Sequence, residues 1–546
     1  MPLPYETLPG DIDHLIADDH AIVERQFQHL EADRGNRRVL VDQISFELAL
    51  HAFAEETVLY PLWDELGMAE QKQDAQSEHQ KLKELLVTLD KNEPGDADFE
   101  QALTELIAET RHHVQDEETD ELPEFREKVG AERMASLGKE FLAAKRKAPT
   151  APHPHAPAEG VGEKIAGALA KPLDKAKAAL GGKKKELATD ASGLLNPQAQ
   201  AIVDAHSSLG PLPFEILEPE QARKQPGPKQ AVQKVMADLG LEGPEKVGSV
   251  EDLQVPDGAG GSQTLRVYKP EGVQPNAPII MWIHGGGWVL FTIDDHYDDA
   301  CRGLCNKTGA IIVSPDYRRA PEAVFPASHD DVLAAYRWTV ANAEQLGGDP
   351  TRIGIGGESA GGNMAPATVL QLAEAGEPLP VAMVPVYPVT TGEQFGESME
   401  DAADGRPLNR ALLSWMAMHA FEGMPDAAKD PRIDLLGWSQ EQLRMMPPTL
   451  VITDERDVLR SQGEQWAKNL EAAGVEVIAT RYDGVMHEFF GASAVLDHAE
   501  RAQQEAAQHF LTAFGASAPS SSGAEAYPAE SGQPVTSAPA SPQRNS

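Results

Sequence analysis

With 546 residues and a net charge of −39, the chain is too long for one ordinary core and too acidic to favour a phosphate backbone or an anionic lipid surface. Its hydrophobic share of 41% fits globular protein. No stretch approaches the roughly 20 uninterrupted apolar residues of a membrane-spanning helix, so neither nucleic acid nor membrane is an expected partner. The start, MPLPYETLPGDIDH, has no basic segment and no apolar run of a secretory signal, which makes the cytoplasm the expected address and Cys301 and Cys305 a reduced, buried pair. No oligomeric state is implied.

Residues 11–144 carry only helical periodicity, in four runs separated by DRGN (33–36), ELGM (65–68) and NEPGDAD (92–98). This predicts an all-α, up-and-down four-helix bundle. Two runs repeat one motif, His51-Ala-Phe-Ala-Glu55-Glu56 and His113-Val-Gln-Asp-Glu117-Glu118. Residues i and i+4 share a helix face, so each pair aims an imidazole and a carboxylate at one point. The other two runs offer His20 and His79.

Counting to the turns tests whether these groups meet. His20 lies 14 residues before Arg34 and His51 15 after Asn36; Glu55 lies 12 before Gly67 and His79 11 after Met68; His79 lies 15 before Pro94 and His113 17 after Asp96. At about 1.5 Å per residue, such mismatches leave all four helices within roughly 3 Å of one level. Imidazole and carboxylate groups at one level of a bundle core suit non-haem iron or another pair of metal ions, with the glutamates as bridges. His14, His29 and His112 fall outside the pattern and are expected to be surface or satisfied core residues.

This segment resembles the hemerythrin-like cation-binding domains over about residues 11–130. The resemblance implies a di-iron cofactor held by His20, His51, Glu55, His79, His113 and Glu117. Oxygen-carrying members have two histidines one turn apart on the third helix, whereas Ala75 and Lys83 flank His79 here. The departure points to iron or oxygen sensing, or iron binding alone, rather than oxygen carriage.

The helical pattern ends near Ala144 at KRKAPTAPHPHAPAEG, whose prolines bar a regular helix, and a Lys- and Ala-rich stretch follows from Val161 to about Ala188. Residues 145–192 are therefore expected to form a solvated linker, and 517–546, almost without apolar residues, a disordered tail.

Between linker and tail, residues 193–516 have a different character. Short apolar runs (PIIMWIH, AIIVSPDY, RIGIGG, AMVPVYP, TLVITD) alternate with helical stretches, which predicts an α/β domain with a mostly parallel sheet. The run RIGIGGESAGGN carries Gly357-Glu358-Ser359-Ala360-Gly361 on a strand-to-helix turn. A G-x-S-x-G there holds the serine strained and exposed at the helix N-terminus, with small neighbours because strand and helix approach closely. Upstream, His284-Gly285-Gly286-Gly287-Trp288 ends the strand PIIMWIH. Glycines let N–H groups approach the oxygen that gains charge in acyl transfer, so Gly285, Gly286 and the N–H of Ala360 are the candidate oxyanion hole. No Lys-Ser/Thr follows, which argues against a phosphate loop.

A serine hydroxyl needs a base, and the base a carboxylate. His487 in YDGVMHEFF is the candidate base. Asp454 and Asp457 both lie just past the strand TLVITD, and spacing alone does not choose between them. His498 sits on a polar helical stretch and is expected to be solvated.

HGGGW, Tyr297, DYRRAPE (316–322), FPASHDD (325–331), RIGIGGESAGGN, ITDERDVLR and DGVMHEFF, preceded by a cap-like segment at 195–223, resemble in order the hormone-sensitive-lipase-like (HGGG) esterases of the α/β-hydrolase fold. The resemblance places the catalytic acid on Asp457, beside Ser359 and His487. It also implies a carboxylesterase acting on short to medium acyl esters, with a helical cap and no cofactor for hydrolysis. Departures are Glu358 for Asp, Val458 for Pro, and Glu488 where Gly often follows the histidine; Glu488 is expected to narrow the pocket or alter leaving-group preference. The competing reading makes the bundle an iron or oxygen sensor and the hydrolase domain its output or a degenerate module.

Overall fold

The structure, a computed structural model, describes residues 3, 5, 7–148 and 184–515. The expected tail and most of the expected linker lie outside these residues. The chain divides into two compact units: Met1–Glu242 with Gly287–Leu290 and Glu397–Pro425, and Gly243–Gly286 with Phe291–Gly396 and Asp426–Ser546.

In the first unit, α1 (Ile12–Glu31), α2 (Arg37–Ala54), α3 (Tyr60–Glu65), α4 (Ala69–Lys91), α5 (Ala97–Asp116) and α6 (Leu122–Val129) build four rods. There are four because α2 runs into α3, and α5 into α6, through one π turn each, Glu55–Leu59 and Glu117–Glu121. Pro61 and Pro123 stand in the first turns of α3 and α6. Each lacks the N–H of an i→i−4 bond and crowds the carbonyl four residues back, and the wide turn before it accommodates both losses. The two wide turns begin on Glu55 and Glu117. Toward the loops at 33–36 and 92–96, residues such as Phe27, Ile44, Leu89 and Phe99 close the bundle with an apolar core.

The last predicted run is interrupted. Gly130 adopts φ +83° and a fifth helix, α7 (Ala131–Lys145), packs back along α1 and α2, where Lys145 donates to the buried Asp19 carboxylate. At the far end of the expected linker, Gln43 of α2 donates to the carbonyls of Glu186 and Thr189, and the Asn36 N–H to that of Ala191.

The helix Arg410–Ala420 lies against α1 in the same unit. Arg410 donates to Asp18 at 2.7 Å, Ser414 Oγ stands 3.1 Å from His14 Nε2, and Met418 packs at Gly10. Met416 of this helix fills the space over Gly287, and Phe421 just beyond it tilts against Trp288 with ring centroids 5.6 Å apart. His14 and His29 are buried and His112 is exposed.

The second unit is built on an eight-stranded sheet, in the order β1-β2-β4-β3-β5-β6-β7-β8. Its strands are β1 (Ser249–Pro256), β2 (Ser262–Lys269), β3 (Ala277–Ile283), β4 (Ile311–Asp316), β5 (Gly348–Glu358), β6 (Met383–Val386), β7 (Thr449–Arg456) and β8 (Val477–Met486). Strands β4, β3 and β5–β8 are parallel; β1 and β2 add antiparallel at the β4 edge. The central strands β3, β4 and β7 are buried along nearly their whole length, and β3 and β4 are mostly apolar, as strands covered on both faces are, whereas β1 and β8 are largely exposed or half-buried and carry mixed residues. Cys301 and Cys305 are free and buried on one helix, Tyr297–Thr308.

Candidate active site and metal centre

The carboxyl ends of parallel strands are where a doubly wound sheet gathers its functional loops. Gly285 follows β3, Ser359 follows β5, Asp457 follows β7 and His487 follows β8. Ile283 pairs with Gly357 and Asp454 with Tyr482, so adjacent strands bring these residues to one edge. Ser359 adopts φ +57° at the N-terminus of the helix Ala360–Ala375, the strained backbone that a tight strand-to-helix reversal imposes. The flanking glycines are required by contact. A Cβ on Gly361 would lie 2.1 Å from the Ile283 carbonyl oxygen, and one on Gly357 2.5 Å from the same atom.

Ser359 Oγ stands 3.0 Å from His487 Nε2, and His487 Nδ1 stands 2.8 Å from Asp457 Oδ2. The other Asp457 oxygen accepts the Leu459 N–H. Burial disfavours the His487 cation, yet the charge and hydrogen bond of Asp457, together with the Glu488 and Glu358 charges, outweigh it and hold the imidazole above its ordinary pKa. Ser359 is 5% exposed, not the open hydroxyl that its turn suggested. Gly285 packs on it so closely that a Cβ there would lie 3.0 Å from Ser359 Cβ, and His487 stands over its hydroxyl.

Asp454, the other candidate acid, is buried and raised well above the carboxylate range, by burial first and by the Asp457 charge second. The glycine loop is fixed from behind, where the Tyr317 hydroxyl donates to the carbonyls of His284 and Gly285 at 3.0 Å each and stacks its ring on His284. Gly286 takes φ +97°, which a side chain would resist.

Glu488 adopts a different place from the one expected. At φ +70° its carboxylate turns into the protein, 2.6 Å from His296 Nε2, and accepts the Tyr297 hydroxyl at 2.8 Å. Glu358 accepts from Trp282 Nε1 at 2.8 Å and from the Tyr387 hydroxyl at 2.6 Å, and burial pushes it up to about 7. His296 and Tyr387 were not singled out by motif. The one signal for them was the pair of unusual acids, which once buried must find donors.

The bundle gathers all six of its candidate ligands. Glu55 Oε1 lies 3.2 Å from His51 Nε2 and its Oε2 3.3 Å from His79 Nε2, while Glu117 Oε2 lies 3.4 Å from His20 Nε2 and 3.7 Å from His113 Nε2. His20 and His51 face each other at 3.3 Å through Nε2, as do His79 and His113 at 3.2 Å. Behind them the sequence reading missed a ring of acids. Nδ1 of His20 faces Glu118 at 2.9 Å, His51 Asp19 at 3.0 Å, His79 Glu56 at 3.3 Å and His113 Glu78 at 2.9 Å.

The ring has a repeat in the chain. Asp19-His20 on α1 matches Glu78-His79 on α4, and His51…Glu55-Glu56 matches His113…Glu117-Glu118, so the second acid of each Glu-Glu pair was a legible signal. Such carboxylates fix each imidazole's orientation and turn Nε2 inward. Tyr60, in the first turn of α3, adds a hydroxyl 3.2 Å from His79 Nε2.

The set fits a pair of cations. Both oxygens of Glu55 and both of Glu117 are buried without a hydrogen-bond partner, and the inward groups are the nitrogen and oxygen donors that non-haem iron takes. Burial lowers His20, but Glu117 and Glu118 outweigh it and push the imidazole up to about 10; His51 and His79 are likewise pushed up to about 9 by their carboxylates.

Comparison with known proteins matches each of the two segments to a family. Residues 280–491 match the alpha/beta hydrolase fold, and residues 11–125 match the hemerythrin HHE cation binding domain. The chain is 36% identical to carboxylesterase NlhH of Mycobacterium tuberculosis over 239 residues, covering 44% of this chain and 74% of that one. It is 32% identical to ethyl acetate hydrolase of Pseudomonas putida, covering 56% and 95% respectively. Among solved structures, a thermostable esterase from Pseudomonas putida matches with a TM-score of 0.54 at 29% identity, covering 60% of this chain and 99% of that one.

A serine-hydrolase fold with an HGGG loop, fused to a cation-binding bundle, is thus the class of molecule. The chain belongs to the hormone-sensitive-lipase-like esterases of the α/β-hydrolase fold, with an N-terminal hemerythrin HHE domain, and it is an ester hydrolase. No helix among the described residues is long and apolar enough to cross a membrane.

Proposed function

We propose that Ser359 attacks the ester carbonyl while His487 Nε2 takes its proton, and that Asp457 holds the imidazole in the required tautomer and stabilises its cation. The N–H groups of Gly285, Gly286 and Ala360 receive the charge that forms on the carbonyl oxygen. His487 then returns its proton to the leaving alcohol, and water, activated by the same imidazole, releases the acid from Ser359. Short to medium acyl esters are the substrates. The observation that carries this reading is the unbroken relay from Asp457 through His487 to Ser359, at 2.8 and 3.0 Å. A fluorophosphonate probe tests it: wild type labelled at Ser359 with Ser359→Ala left unlabelled supports the assignment, and an unlabelled wild type or an equally labelled Ser359→Ala protein removes it.

In the bundle, His20, His51, His79 and His113 with Glu55 and Glu117 as bridges would hold two non-haem iron ions. Such a pair supplies redox and oxygen-binding chemistry when bound. Asp19, Glu56, Glu78 and Glu118 orient the four imidazoles. Anaerobic Fe(II) uptake followed by elemental analysis tests this, with two ions per chain expected and none contradicting it.

A second reading, in which metal occupancy modulates the esterase, is favoured by one observation. The helix that carries His20 also carries Asp18, which pairs with Arg410; the Arg410–Ala420 helix packs Met416 on Gly287, next in the chain to Gly286. Equal ester kinetics in iron-loaded and iron-free protein would remove that reading.

A further inference from the structure

The bundle contains a cavity of about 620 Å³ that includes the histidine level and extends beyond it. That volume falls within the range of small-molecule sites. All four candidate histidines stand on its wall, which runs mainly to one side of them on α1 and α4 and to both sides on the rods of α2, as far as Glu56, and of α5, as far as Thr119. The lining continues from His20 to Phe27 on α1, from His51 back to Leu48 on α2, from His79 to Leu86 on α4 and from His113 back to Thr110 on α5. Seven residues of helix give it a length of about 10 Å, the reach of a medium-length aliphatic chain. On that side Val23, Phe27, Leu48, Leu82 and Leu86 carry it to the core that closes the bundle, with Glu24, Gln28, Lys83 and Arg111 also on the wall.

One polar group in it lacks a partner. Thr110 is 3% exposed and its hydroxyl has no hydrogen bond, although Thr104 and Thr119 on the same rod each donate to the carbonyl four residues back. A buried hydroxyl without a partner is unfavourable, and Thr110 lines the cavity one turn from His113. The wall therefore offers two kinds of surface: an imidazole cluster suited to cations with the Thr110 hydroxyl one turn away, and the apolar side chains Phe27, Leu48, Leu82 and Leu86 beside them. A cation site takes an anionic head, and an apolar surface takes a chain.

We propose that the bundle cavity binds an aliphatic monocarboxylate of medium chain length, the class of acid that an ester hydrolase releases, with its carboxylate at the histidine level beside Thr110 and its chain along Leu48, Leu82 and Leu86. The bundle is then a product-binding site on the same chain as the esterase. The proposal rests on the metal reading only for its carboxylate end.

The test is a calorimetric titration of octanoate into the full chain with Ser359 blocked by an organophosphonate, so that the esterase site is closed to it. Metal content is measured separately by elemental analysis. One octanoate per chain is expected, bound at least tenfold more weakly by Leu48→Trp, which fills the space beside the apolar side chains, and several-fold more weakly by Thr110→Val. 1-Octanol is expected to bind at least tenfold more weakly than octanoate.

No binding to the metal-loaded chain, or equal binding by wild type and Leu48→Trp, overturns the proposal; equal affinity for 1-octanol overturns the carboxylate assignment. If Leu48→Trp does not fold, Leu86→Phe takes its place. A protein that takes up no metal fails the metal reading alone. Octanoate binding to it that Leu48→Trp weakens still sustains the cavity assignment, and its absence overturns it.

Discussion

Asp18 on α1 and Arg410 on the helix Arg410–Ala420 form a buried ion pair at 2.7 Å, with side chains 0% and 4% exposed. Removing one partner of a buried pair strands the other charge, a cost of about 3–5 kcal/mol, whereas replacing both by apolar residues is often neutral. Asp18→Ala should therefore destabilise the first unit by about 3 kcal/mol in urea denaturation, and Asp18→Leu with Arg410→Met should recover most of the loss.

Glu56 is not in the candidate ligand set, yet it faces His79 Nδ1 and accepts from Lys83. Carboxylates in that position typically contribute 10- to 100-fold to metal affinity. Glu56→Gln should lower Fe(II) affinity by about that factor while leaving two ions per chain at saturation, read by competition with a chromogenic chelator.

The ester reaction should depend on pH through His487. The base works only when neutral, and the Asp457 charge, with those of Glu488 and Glu358, raises the imidazole above its ordinary value despite burial. The acidic limb of kcat/KM should then lie above the usual histidine pKa, with activity lost as pH falls through it. Asp457→Asn should shift that limb downward and reduce kcat by about 10³- to 10⁴-fold. Pre-steady-state and steady-state pH profiles check both.

Gly361→Ala places a methyl group 2.1 Å from the Ile283 carbonyl oxygen, a backbone atom that cannot swing aside. Overpacking of this kind costs about 1–3 kcal/mol. The variant should melt lower than wild type and lose most ester hydrolysis, because the displaced turn carries Ser359.

Much of this architecture was legible because it rests on short-range rules. The i and i+4 spacing of His51 and Glu55, and of His113 and Glu117, is a helix property, and counting to the turns brought His20 and His79 to the same level. Ser359 and the glycine loop announce themselves through the small residues that a tight turn demands. Spacing did not separate Asp454 from Asp457; only the resemblance chose Asp457, and in three dimensions it is Asp457 that meets His487. Glu488 was misplaced for a similar reason, since its buried donors His296 and Tyr297 lie far off in sequence. The break at Gly130 was missed because a lone glycine does not mark a turn. The partnership of α1 with the Arg410–Ala420 helix had no sequence signal, because contacts between distant segments leave no periodicity in either.

The account stands most directly on Ser359. Hydrolysis of p-nitrophenyl butyrate by purified Ser359→Ala, with folding checked by circular dichroism and iron content by elemental analysis, should fall by about 10⁴-fold or more in kcat. Activity within tenfold of wild type in the folded variant would contradict the assignment of Ser359 as nucleophile.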